Sequence, residues 1–109
     1  MYKINASATI RVPVVGSVAG EDGKPVKFTF GLQCKRLQQP EIDELMKDPN
    51  APVKGFLHQV VNGWHDVVGA DDQPIEFSEA NFAALLDQPG MSMLCFNAFM
   101  SDIGAKPKN

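Results

Sequence analysis

The side chains able to do chemistry are few and scattered. His58 and His65 stand seven residues apart, with no cysteine near either. That is not a zinc spacing, which sets two or more close pairs of Cys and His against each other. Asp66, Asp71, Asp72 and Glu76 gather carboxylates around one polar bend. A calcium loop needs ligands at fixed alternating offsets, a central Gly and a Glu in twelfth place, and none of that is present. A carboxylate pair of the glycosidase kind needs a sugar cleft, which a domain of this size rarely builds. Cys34 and Cys95 fall in an apolar strand pattern and an apolar helix pattern. Neither has the helix start or Gly-rich turn that would activate a thiol. The expectation is two buried free thiols, although spacing alone does not decide against a disulfide. There is no GxGxxG, GxxxxGK[ST] or GxSxG. The residues therefore imply no catalytic, cofactor-binding or metal site, and the expected protein is not an enzyme.

The chain of 109 residues suits one small domain. It is 44% hydrophobic and 21% charged, with a formal net charge of −3. An acidic chain without a basic cluster argues against nucleic acid, where affinity rests on neutralising phosphates. The same balance disfavours an anionic membrane surface. No run reaches the roughly 20 apolar residues of a spanning helix. Met1 to Asn5 lacks the charged start and apolar core of a signal peptide. A cytoplasmic protein is the expectation.

The elements follow from period and punctuation. Residues 1–7 are weakly patterned. Ala8 to Val15 alternates, with Ile10, Val12 and Val14 on one face. Pro13 has no N–H, which places this strand at a sheet edge or turns its bonding away from that residue. Gly16 to Pro25 reads as a loop with Asp22-Gly23 at its tip. Val26, Phe28, Phe30, Leu32 and Cys34 then share one face of a second strand, with Lys27, Thr29, Gln33 and Lys35 on the other. A lone hairpin is marginal in water, so its dry face requires helices.

Four short helices are expected. Pro40 opens the first, with Ile42, Leu45 and Met46 as its stripe, and Asp48 to Pro52 ends it. Val53, Phe56, Leu57, Val60 and Val61 form the stripe of the second, which Asn62-Gly63 should stop in a left-handed conformation. Trp64 is expected to pack back over that helix end. Asp66 to Phe77 reads as extended chain around a turn, either a small second hairpin or a simple loop. Ser78 caps the third helix, with Phe77 and Phe82 placed as a hydrophobic staple, and Pro89-Gly90 ends it.

The last helix, from Met91 to about Asp102, is apolar almost all round. Met91, Leu94, Cys95, Ala98, Phe99 and Ile103 make one stripe; Met93, Phe96 and Met100 make another on a different face. Unbranched thioether side chains repack easily against a partner. Met93, Phe96 and Met100 are therefore the candidate partner-binding residues, with Met91 and Phe99 supporting from the core side. The bland alternative is that this helix is simply central to the core. Phe28, Phe30, Leu32, Leu45, Phe56, Val60, Trp64, Phe82, Leu85, Leu94 and Phe99 are the expected core.

The fold class this implies is α+β: an N-terminal antiparallel β-hairpin, with or without a third short strand near the elbow, packed on about four short α-helices. One domain covers residues 1–109, with a hairpin part over 1–37, a helical part over 38–103 and an exposed tail over 104–109. A Gly-Trp elbow at 62–77 interrupts the helical part.

The stretch Phe56-Leu57-x-x-Val60-Val61-x-Gly63-Trp64-x-Asp66-Val67 is followed by an acidic turn with Pro74-Ile75. Then come Phe77-Ser78-x-x-Asn81 and Leu85-Leu86. This pattern resembles the small tail assembly chaperones of tailed bacteriophages and prophages. So does the layout over residues 26–109, with its aromatic second strand, midway Gly-Trp elbow, helical C-terminal part and Lys108-Asn109 ending. One departure is Asp72-Gln73, where such proteins often carry Asp-Gly. The resemblance implies a non-catalytic protein that binds the phage tape-measure protein, keeps it soluble and assists tail tube assembly. The major tail tube protein is a second candidate partner. It implies action in the cytoplasm of the host bacterium and absence from the mature virion. The competing reading is a structural minor tail or tail-completion protein.

Overall fold

A computed structural model describes residues 9–47 and 52–103. The expectations for residues 1–8, for Asp48 to Ala51 and for the tail at 104–109 lie outside the described residues. The fold is α+β. Strands β1 (Thr9–Ala19), β2 (Pro25–Lys35) and β3 (Val61–His65) form one antiparallel sheet in the order β1-β2-β3. Helices α1 (Gln39–Leu45), α2 (Val53–Val60), α3 (Glu79–Leu86) and α4 (Met91–Ile103) complete it.

The hairpin is longer than its first strand alone suggested. Residues Gly16 to Ala19, expected as loop, pair with Pro25 to Phe28. The alternation continuing along β2 offers them ladder partners, and the turn shrinks to Glu21-Asp22-Gly23. There the Gly20 N–H donates to the Lys24 carbonyl at 2.9 Å, and Gly23 takes a left-handed φ of 81°. From that bond the ladder alternates, so odd-numbered β1 residues direct their N–H and C=O away from β2. Pro13 is one of them, and its missing donor costs no bond to β2.

Even-numbered positions face inward. Val12, Val14, Phe30, Leu32 and Cys34 are buried there. Helix α4 packs on β1, and α2 packs against α3, α4 and β3. The core adds Phe56, Leu57, Val60, Phe82, Leu86, Cys95 and Phe99. Phe28, Leu45, Trp64, Leu85 and Leu94, expected in the core, lie partly buried at its margin.

The elbow corrects the sequence reading. Asn62-Gly63 does not stop α2 in a left-handed turn. The chain passes from Val60 into extended Val61 and straight into β3, where Gly63 pairs with Gln33 and Trp64 with Leu32. The odd-numbered residues of β2 direct their polar groups away from β1, and β3 satisfies them; this pairing overrides a local stop signal. Trp64 accordingly sits on a strand, packed against the core cluster. Its indole N–H donates to the Ile75 carbonyl at 2.8 Å.

Residues 67–75 form the small hairpin alternative, closed by a Val68–Pro74 bridge and by the Gly69 N–H donating to the Gln73 carbonyl at 3.0 Å. The turn repeats the design of the first. Asp71 accepts from the Gln73 N–H as Asp22 accepts from the Lys24 N–H. Asp72, with φ 60°, stands where Gly23 stands in the other. At the start of α3 the Ser78 hydroxyl accepts from the Asn81 N–H at 3.1 Å, and the Phe77 and Phe82 rings lie 5.6 Å apart, as the staple requires. In α1 the stripe is shorter than expected: Ile42 is buried and Leu45 half-buried, while Met46 caps the helix, exposed.

Candidate interaction surface

Helix α4 runs for 13 residues after Pro89 and Gly90, whose φ of 78° turns the chain into it. At about 100° per residue, Met91, Cys95 and Phe99 project to one side, and all three are buried. Phe99 lies edge-on to Phe56 of α2 at 5.7 Å between ring centres. Leu94 flanks this face towards β1, where its side chain fills the space over Gly16.

The second stripe is divided. Phe96 lies edge-on to Phe56 at 5.4 Å, and both Phe96 and Met100 pack partly against the core. Met93 is 48% exposed and shares its side of the helix with exposed Asn97 and Ser101. The stripe is thus a graded margin. Phe96 leans on Phe56 of α2, Met100 packs partly against the core, and Met93 is open to solvent. Met91 and Phe99 hold the helix from below.

The polar candidates do not converge. His58 Nδ1 lies 2.8 Å from Glu79 Oε2, joining α2 to the first turn of α3, and the ring lies edge-on to Phe82. His65 is on β3, with its Nε2 3.4 Å from an Arg11 guanidinium nitrogen. Asp66, Asp71, Asp72 and Glu76 are exposed. Among the described residues, no three His, Cys, Asp or Glu side chains stand close enough to hold a metal ion. No helix among them is long and apolar enough to cross a membrane.

Cys34 and Cys95 are free and fully buried. Burial pushes the Cys34 thiol up to about 12, with smaller upward contributions from the Cys95 thiol and the Asp102 carboxylate. Burial alone pushes Cys95 up to about 11. Neither is a ready nucleophile.

One feature of the surface was not foreseen from the sequence. A groove of about 450 Å³ opens between the end of β2, α1 and α2, floored by Leu37, Leu45 and Val60 and edged by Lys35, Glu41 and Glu44. Its lining comes from separate segments, so no local motif announces it.

Comparisons of the chain with protein-family models, with curated proteins and with solved structures find no match.

Proposed function

We propose that the protein is a tail assembly chaperone of a phage or prophage. It binds the tape-measure protein in the host cytoplasm, keeps it soluble while the tail tube is built, and is left out of the finished virion. The reading rests on the pattern from Phe56 to Leu86. The observation that carries it is the graded margin of α4, where exposed Met93 adjoins half-covered Phe96 and Met100. A long helical client needs an adaptable apolar surface, and unbranched thioethers beside an aromatic ring offer one. Met91 and Phe99 contribute by fixing the helix and not by direct contact.

The test is a pull-down from cells that express this chain together with the tape-measure protein. A stable complex that Met93→Glu and Met100→Glu weaken, with the fold intact, supports the proposal. Ring or tube formation by the chain alone, with retention in purified virions, would instead favour the structural tail-component reading.

A further inference from the structure

The strands carry their charge with one sign and on one face. Arg11, Lys27 and Lys35 are the only charged residues on β1, β2 and β3 apart from His65, and no Asp or Glu lies on any of the three. All four take odd-numbered positions, and the register places them together on the face turned away from the helices. Across that face the rows read Thr9 with Lys35, Arg11 with Gln33 and Gly63, Pro13 with Gly31 and His65, Val15 with Thr29, and Ser17 with Lys27.

Among the described residues the rows from Arg11 to Ser17 lie open, whereas Lys35, at the end of β2, edges the groove shared with α1 and α2. Arg11, Pro13, Ser17, Lys27, Thr29 and Lys35 are exposed, and Val15 is 67% exposed. Arg11, Lys27 and Lys35 form no ion pair with a carboxylate among the described residues, although Lys35 shares the groove at the end of β2 with Glu41 and Glu44. Arg11 makes a polar contact to His65, reached across Gly31. Among the described residues the Asp and Glu side chains lie off the strands, with Glu41 and Glu44 of α1 approaching the face only at its Lys35 end. On a chain of net charge −3, a cationic sheet face is a segregated feature and not a reflection of composition.

We propose that this outer sheet face docks an acidic segment of a partner protein, one whose carboxylates alternate with small apolar side chains. The face has the anatomy of an interface. Pro13 and Val15 give an apolar centre, and Arg11, Lys27 and Lys35 form a charged rim. Lys27 and Lys35 are eight residues apart on one strand, about 26 Å. An extended segment along the sheet can therefore meet cations at both ends. Nucleic acid fits less well. Three Lys or Arg side chains release few counterions, and the acidic remainder of the chain repels a phosphate backbone. The surface is separate from the α4 margin and does not depend on what α4 binds.

The test is fluorescence anisotropy with a labelled peptide alternating Glu with Val, a matched peptide with Gln for Glu, and a labelled oligo-dT strand. The Glu peptide should bind, weaken with added salt, and lose about tenfold or more in affinity to an Arg11→Glu, Lys27→Glu variant. The Gln peptide should bind at least as weakly as that. Met93→Glu should leave peptide binding unchanged. Circular dichroism checks the fold, and an Arg11→Gln, Lys27→Gln variant gives the same comparison should charge reversal disturb it. Equal binding of both peptides, no peptide binding, or oligo-dT binding as tight as the Glu peptide would overturn the proposal. So would sedimentation showing self-association that charge reversal abolishes, which would assign the face to a second copy of this chain.

Discussion

Trp64 and Ile75 hold the elbow together: the indole N–H of Trp64 donates to the Ile75 carbonyl at 2.8 Å. Trp64 is on β3, and Ile75 lies on the returning arm of the small hairpin, itself bonded by its N–H to the Val67 carbonyl at 2.9 Å. The same indole lies edge-on to Phe77 at 5.2 Å. One side chain thus joins the sheet, the turn and the entry to α3. Trp64→Phe keeps a ring there but leaves the Ile75 carbonyl without its donor. Urea unfolding followed by circular dichroism should show a loss of about 1–3 kcal/mol.

The paired turns predict opposite responses to glycine. Gly23 and Asp72 occupy the same left-handed position in two three-residue turns. Gly23→Ala should destabilise by about 1 kcal/mol, because a Cβ is strained at that φ although nothing crowds it. Asp72→Gly should be neutral to stabilising by up to about 1 kcal/mol, since relief of strain is opposed by the entropy of the unfolded glycine. Thermal unfolding of the two variants checks both signs.

Phe56 lies under both Phe96 and Phe99, and this separates folding from binding. It is only 6% exposed. Phe56→Ala should cost about 3–5 kcal/mol, while Met93→Glu, on the open side of α4, should change stability by less than about 0.5 kcal/mol. Phe96→Ala should fall between them. Denaturant midpoints give the order, and a large loss for Met93→Glu would remove it as a clean probe of binding.

The thiols should be silent in the folded protein. At pH 8 an aromatic disulfide reagent should label neither Cys34 nor Cys95 until denaturant is added, and then both. Their folded values of about 12 and about 11 lie above the ordinary 9.0. The unfolded chain therefore loses these protons first. The thiols' contribution to stability is full below pH 9 and is lost as pH rises from there through 11 to 12. Stability measured across that range should fall, and a rise attributable to the cysteines would contradict the burial argument.

What the sequence disclosed and what it hid have physical causes. The alternation of Val26 to Cys34, the edge position implied by Pro13 and the Ser78 cap with its Phe77–Phe82 staple are local signals, and each appears in the fold. The extension of β1 through Ala19 was hidden, because Gly16-Ser17 resembles loop until β2 is laid beside it. Asn62-Gly63 misled for the same reason: a stop signal is local, whereas the bonding offered by Gly31 and Gln33 is not. At α4 the two apolar stripes were legible, but the split of the second into half-covered Phe96 and Met100 and open Met93 depends on how the helix seats on the core. The alternation already set Lys27 and Lys35 on one face of β2, but the meeting of Arg11 with His65 was out of reach, since they are 54 positions apart in the chain and meet across Gly31.

The most direct test of the proposed role is the soluble yield of the tape-measure protein when it is expressed alone, with this chain, and with a Met93→Glu, Met100→Glu variant that folds normally. The client should aggregate alone, stay soluble in a complex with the native chain, and lose both solubility and association with the variant. A client that is equally soluble in all three cases, or that is never recovered with this chain, would contradict the proposed role.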